Sequence, residues 1–305
     1  GGDIVYLYYN LPENNGYKAP LIESFFTDEY ELDLLIHNFQ KPFVVWGNGI
    51  VMGGGLGLMA GASHRIVTEN TRIAMPEISI GLYPDVGGSY FLNKMPSNCG
   101  LFLGLTGASI NAADAIYTHL ADYFIEHQQK QNFLDALIQI NWGNTIALNH
   151  EKLTNAIKEL TKLCLPKLPV SNVQQHQELI NQVTDFDNLS DIVSAITKHS
   201  VADKWFNRAQ KSLSHGSALS AQLTYRQLME GKELSISECF KMELVVSTKC
   251  GEFGEFKEGV RALLIEKDNK PQWRYADVNS VDMAVVDWFF TNDYKTGEHP
   301  LEFKS

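Results

Sequence analysis

Residues 43–58 read Phe43-Val44-Val45-Trp46-Gly47-Asn48-Gly49-Ile50-Val51-Met52-Gly53-Gly54-Gly55-Leu56-Gly57-Leu58, and this stretch decides the fold class. The β-branched and aromatic residues 43–46 predict a buried strand. The glycines that follow predict a site defined by backbone. Leu56, Leu58, Met59 and Ala60 then predict a helix reaching Gly61. At a strand-to-helix turn without Cβ atoms a ligand can approach the main chain, and a backbone N–H there is a natural oxyanion donor. Taken alone, the triplet reads equally well as a tight turn needed for packing.

Working outward, Arg65-Ile66-Val67 and Arg72-Ile73-Ala74-Met75 predict short strands, so the local order is strand, glycine turn, helix, strand, an α/β rhythm. Upstream, Asp28-Glu29-Tyr30 opens a helix in which Tyr30, Leu34, Leu35 and Ile36 recur near helical spacing, ending before Lys41-Pro42. Downstream, Pro84-Asp85-Val86-Gly87-Gly88 is turn chemistry, and residues 89–95 predict a helix capped by Asp85 or a neighbour. Past Tyr123 strand-like runs become scarce. Residues 133–138, 153–163 and 221–229 have helical periodicity, with Leu165-Pro166-Lys167-Leu168-Pro169 as a linker between helices. The expected organisation is an α/β part over residues 1–125 and a mainly helical part over 126–305.

The chain has 305 residues, 44% hydrophobic and 20% charged, enough for a large core. Its formal charge of −11, with no basic block, argues against a nucleic-acid partner. It does not exclude a polyanionic ligand held by amides and a few local cations. Cys99, Cys164, Cys239 and Cys250 are scattered without a CxxC pair, which fits reduced thiols in a cytosol-like compartment. No apolar run approaches the roughly 20 residues of a membrane span. Gly1-Gly2-Asp3 looks like the middle of a loop, so a preceding segment is expected.

The whole phrase from Lys41-Pro42 through Met52-Gly53-Gly54-Gly55, Ala74-Met75-Pro76-Glu77, Gly81 and Pro84-Asp85-Val86-Gly87-Gly88 resembles the crotonase (enoyl-coenzyme A hydratase/isomerase) superfamily. Its wording, Met-Gly-Gly-Gly-Leu-Gly-Leu and Met-Pro-Glu followed by Pro-Asp-Val-Gly-Gly, is similar to the 3-hydroxyisobutyryl-coenzyme A hydrolases. Arg226-Gln227-Leu228-Met229-Glu230-Gly231 and Phe256-Lys257-Glu258-Gly259-Val260-Arg261-Ala262 extend that likeness, as do Lys267-Asp268, Pro271 and Trp273. The middle, about residues 126–213, matches only in helical character.

The resemblance implies an α/β spiral of ββα units, truncated at its N-terminus, followed by a mainly helical C-terminal region. It implies that the Gly54 N–H and the Gly2 N–H point at a thioester oxygen, and that Glu77 is the catalytic carboxylate, acting as base or as nucleophile. Asp85 matches a catalytic and substrate-site aspartate, and Glu29 an acidic substrate-contact position. Each has a plainer reading: Glu77 as a solvated loop glutamate, Asp85 as a cap, Glu29 as a first-turn helix carboxylate. Hydratases of the superfamily place a second glutamate two residues after the glycine triplet, where this chain has Gly57. Glycine supplies no acid or base, so hydration by paired glutamates is disfavoured.

The implied activity is hydrolysis of a short 3-hydroxyacyl-coenzyme A thioester, in valine catabolism, with coenzyme A as part of the substrate and no separate cofactor or metal. Expected partners are the acyl-coenzyme A and a possible second copy of the chain, with neither nucleic acid nor membrane. The expected location is cytoplasmic, or the mitochondrial matrix in a eukaryote. Two alternatives stand beside hydrolysis: isomerisation or hydration of an enoyl thioester, and non-catalytic binding of acyl-coenzyme A. The nine histidines, His37, His64 and His119 among them, show no metal-ligand spacing, and no serine lies in a GxSxG elbow. His64 is expected to be structural.

Overall fold

The computed structural model describes residues 2–11, 18–295 and 297–302, so Gly1 lies outside the described residues. Helix α1 (Ile4–Asn10) starts where the Asp3 side chain accepts the Tyr6 N–H. Helix α2 (Pro20–His37) is longer than the periodicity around Asp28 suggests. It starts at Pro20, whose fixed φ and missing N–H suit a first helical position, and buries Ile22, Phe26, Tyr30, Asp33 and Leu34 along one face.

Strand β1 (Val44–Gly47) is separated by Asn48-Gly49 from β2 (Ile50–Met52), a strand too short for sequence periodicity to reveal. Helix α3 (Gly54–Ala60) follows, then β3 (His64–Val67) and β4 (Arg72–Ala74). The break between β1 and β2 switches the chain between two sheets. In one, β1 runs parallel to β3 with Val44 opposite His64. In the other, β2 runs parallel to β4 with Ile50 opposite Arg72 and Met52 opposite Ala74. Two strands entering different sheets and then a returning helix form one turn of a ββα spiral. Strand β5 (Tyr123–Phe124) adds to β3 in parallel and completes the order β1-β3-β5.

Between β4 and β5 lie a 3-10 turn (Glu77–Ile80) and helices α4 (Gly88–Phe91), α5 (Cys99–Thr106) and α6 (Ala112–Tyr117). The helix expected over 89–95 is therefore a single α turn continued by a 3-10 turn, Leu92–Lys94. Its N-cap is Gly87, which offers no side chain, so Asp85 does not cap it and is turned to other partners.

Among the described residues the regular elements after β5 are helices: α7 (Lys130–Gln139), α8 (Ile146–Cys164), α9 (Asn172–Gln175), α10 (Gln177–Thr184), α11 (Leu189–Lys198), α12 (Lys204–His215), α13 (Ala218–Gly231), α14 (Ile236–Phe253), α15 (Glu255–Val260) and α16 (Met283–Phe290). The linker at 165–169 begins as a 3-10 turn, Leu165–Lys167, after α8. A Ser235–Glu238 capping box fixes the start of α14, which packs along α2. One cluster of buried apolar side chains takes in Leu56, Ile66 and Phe102 from the spiral and Phe206, Phe240 and Phe256 from the helices. The four cysteines are buried free thiols. Among the described residues no helix is long and apolar enough to cross a membrane.

Candidate active site

The β2–β4 register builds the centre of the site. With Met52 opposite Ala74, the chain leaves both strands side by side, and Gly53-Gly54 emerges next to Met75-Pro76-Glu77. Gly53 has φ +51° and ψ −133°, a conformation that L side chains rarely adopt, and from there Gly54 opens α3. The amides of a helix's first turn have no acceptor one turn back, so the Gly54 N–H is available to a ligand. A β-carbon on Gly53 would lie 3.8 Å from Glu77 Oε1.

Glu77 is 4% exposed and its Oε2 has no hydrogen-bond partner. Burial pushes its carboxyl up to about 8, with the nearby Glu29 charge acting in the same direction against its own backbone N–H. The solvated-loop reading of Glu77 is thereby excluded. Gly81 closes the turn with φ +69°, and a β-carbon there would lie 2.4 Å from the Glu255 carbonyl oxygen, so the turn that holds Glu77 is pinned to the start of α15.

Asp85 is 3% exposed and accepts the Tyr30 hydroxyl at Oδ2, 2.8 Å away. Tyr30 and Tyr83 both reach Ser247 Oγ, at 2.7 and 2.8 Å, and the Tyr83 hydroxyl donates to the Glu243 carbonyl oxygen at 2.7 Å. The Glu243 carboxylate accepts the Gly87 N–H at 2.7 Å, the Ser89 N–H at 2.9 Å and the Ser89 hydroxyl at 2.6 Å, while Gln227 Nε2 donates to the Pro84 carbonyl at 2.8 Å. Helices α2, α13 and α14 thus hold the loop that presents Asp85. Burial, then the charges on Glu29, Glu77 and Glu243, raise the Asp85 carboxyl well above its ordinary value, with the Tyr30 hydroxyl opposing them. Burial raises Glu243 to about 7 despite its hydrogen bonds.

Glu29 lies mid-helix, not in a first turn, because α2 begins at Pro20. It is half-buried, its carboxyl is raised chiefly by burial, and its charge acts on Asp33, Glu77 and Asp85, raising all three. Gly2 precedes α1 and lies against Phe25, where a β-carbon would fall 2.1 Å from ring atom Cζ. Phe25 is one turn before Glu29 on α2. The described contacts of Gly2 are with Phe25 and Ile4, and none joins it to Gly54 or Glu77. His64, 2% exposed, bonds Ser63 Oγ and Thr154 Oγ1 as a structural histidine.

Sequence reasoning missed Tyr30, Tyr83, Glu243 and Ser247, whose partners lie far apart in the chain. It also missed Asp33, which is fully buried with both carboxyl oxygens unpartnered. Asp33 is one turn after Glu29, so helical spacing alone could have assigned the two carboxylates to one face. Among the described residues none of Asp33, Glu77, Asp85 or Glu243 is ion-paired, so the cluster is acidic without a compensating cation.

The two-sheet ββα spiral, with a glycine turn facing a buried glutamate and a helical second half, defines a crotonase-type chain. Residues 1–290 match the enoyl-CoA hydratase/isomerase family, and the chain belongs to that family. It is 35% identical over 272 residues to the mitochondrial 3-hydroxyisobutyryl-CoA hydrolase of Danio rerio, covering 89% of this chain and 70% of that protein. The corresponding Gallus gallus protein is 34% identical over 279 residues, covering 90% and 71%. Among solved structures, a carnitinyl-CoA dehydratase from Mycobacterium thermoresistibile superposes with TM-score 0.84 at 30% identity, covering all of this chain and 82% of its own. An enoyl-CoA hydratase from Rhodobacter sphaeroides superposes with TM-score 0.79 at 29% identity, covering 95% and 79%.

Proposed function

We propose that the protein hydrolyses short 3-hydroxyacyl-coenzyme A thioesters, 3-hydroxyisobutyryl-coenzyme A foremost, releasing the hydroxy acid and coenzyme A as a step of valine catabolism. The observation that supports this best is the buried Glu77 carboxyl facing the Gly53-Gly54 turn, with no side chain at Gly57 to supply a second glutamate. The similarity to 3-hydroxyisobutyryl-CoA hydrolases adds to it.

In this reading the thioester oxygen accepts the Gly54 N–H and, from the other side, the Gly2 N–H. Charge concentrates on that oxygen in the tetrahedral intermediate, and losing one such donor raises a barrier by about 3–4 kcal/mol. Ionised Glu77 takes a proton from water as the hydroxide oxygen bonds the carbonyl carbon. Collapse breaks the C–S bond, and the departing thiolate takes the proton from Glu77. In the nucleophilic variant Glu77 itself bonds the carbonyl carbon, the thiolate leaves, and water cleaves the resulting anhydride. Asp85 and Glu29 contact the acyl end, and the helices after residue 125 cover the site. A methyl group in a pocket is worth only about 1–3 kcal/mol, so 3-hydroxypropionyl-coenzyme A is a slower substrate, not an excluded one.

Hydration of an enoyl thioester is the second reading, favoured by Asp33, a buried carboxyl next to Gly57. Thiol release from 3-hydroxyisobutyryl-coenzyme A supports hydrolysis. Loss of crotonyl-coenzyme A absorbance without thiol release supports hydration instead.

A further inference from the structure

We propose that Asp33 supplies from α2 the carboxyl that position 57 lacks, and that it is the specificity-determining hydrogen-bond partner of the hydroxyl on carbon 3 of the acyl chain. The inference rests on the acyl-coenzyme A reading of the site.

The geometry begins at Gly57, one turn after Gly54 on α3. A β-carbon there would lie 2.4 Å from Asp33 Oδ2 and 2.8 Å from Val86 Cβ. No side chain fits at position 57 while Asp33 keeps its place, so the glycine is what lets this carboxyl reach α3. Asp33 thus stands between the helix that begins with Gly54 and the loop that presents Asp85, with Glu29 one turn earlier on its own helix.

Fully buried polar atoms without partners destabilise a fold, and both oxygens of Asp33 are in that state. Asp85, by contrast, already has Oδ2 engaged by Tyr30. Burial and the charges on Glu29 and Glu243 hold the Asp33 carboxyl up to about 8, so at neutral pH it is a carboxylic acid that both donates and accepts. An alcohol also donates and accepts, and a plain acyl chain does neither.

The test compares the affinities of the full chain and its variants for two non-hydrolysable thioethers, S-(3-hydroxy-2-methylpropyl)-coenzyme A and S-(2-methylpropyl)-coenzyme A. The parent is expected to prefer the hydroxylated probe, and D33L to reduce that preference by about 10- to 100-fold. D33N, which still donates and accepts, is expected to keep it within about threefold. G57A, which drives a methyl group into the place of Asp33, is expected to lose the preference as D33L does, and stands in for D33L if that variant does not fold. Absence of a preference in the parent overturns the proposal, as does a preference unchanged in D33L and G57A. Equal weakening of both probes overturns it too, because it leaves Asp33 a structural role only. Thiol release is measured alongside: a preserved hydroxyl preference with no hydrolysis overturns the hydrolase reading while supporting this one.

Discussion

Glu77 Oε1 lies 3.8 Å from the position a β-carbon would take on Gly53, so the buried carboxylate and the glycine turn form one surface. The relationship follows from strand register. Met52 opposite Ala74 releases the two segments side by side, and a slip of one residue would send either to the other face of its sheet.

G53A tests that surface. At φ +51° and ψ −133° an L-residue carries a backbone penalty of about 1–3 kcal/mol, and the new methyl group would face Glu77. Thermal unfolding should show a loss of that size, together with a fall in kcat. Unchanged stability and rate would contradict the account of the turn.

Glu77 also predicts how the rate depends on pH. Its carboxyl, held up to about 8 by burial, must be ionised to act as base or nucleophile. The free-enzyme kcat/KM should therefore climb about tenfold per pH unit below that value and level off above it. E77Q should lose the activity across the whole range. A kcat/KM already flat between about pH 5 and 8 would contradict the role of this group.

Stability should move in the opposite direction. Unfolded, Glu77 ionises near its ordinary 4.5, whereas folded it ionises near 8, so the folded state retains a proton the unfolded state releases. The contribution of the neutral buried carboxyl is complete below the ordinary value and is lost as pH rises through about 8. Asp33, raised from 3.8 to about 8, acts in the same sense. Melting curves of E77Q and its parent should diverge from about pH 5 to pH 8, with the variant gaining. Convergence over that interval would refute the linkage.

Y30F removes the hydroxyl that Asp85 and Ser247 share, at 2.8 and 2.7 Å. The buried Asp85 then loses a donor and Ser247 a partner, at a cost of about 1–3 kcal/mol. Chemical denaturation should report that loss, and kcat/KM for the hydroxyacyl thioester should fall about tenfold as Asp85 loses its orientation. An equally large fall in a Y83F variant would point to general loosening, since the Tyr83 hydroxyl bonds Ser247 and the Glu243 carbonyl, whereas the Tyr30 hydroxyl donates to Asp85.

The spiral was legible in the sequence wherever local chemistry is strong: the strand beginning near Val44, the glycine turn, the helix ending at Gly61 and the helical second half. Strand β2 escaped because three residues show no period, and the start of α2 because Pro20 precedes the segment whose periodicity is clearest. Glu77, Asp85 and Gly54 were legible as candidates from motif wording. Their setting was not, because Tyr30, Tyr83, Glu243 and Ser247 meet across more than 150 residues of chain, and nothing local to any of them announces the others. Glu29 was found but misplaced in a first turn, for the same reason that α2 was shortened. Asp33 has no motif of its own; its importance appears only when the space left by Gly57 is seen to contain its carboxyl.

The most direct test of the central claim is thiol release from 3-hydroxyisobutyryl-coenzyme A by the parent and by E77Q, with crotonyl-coenzyme A as the comparison substrate. The account predicts release from the hydroxyacyl thioester that disappears in E77Q while the variant remains folded. Release that persists in E77Q, or crotonyl-coenzyme A consumed with no thiol from either substrate, would contradict it.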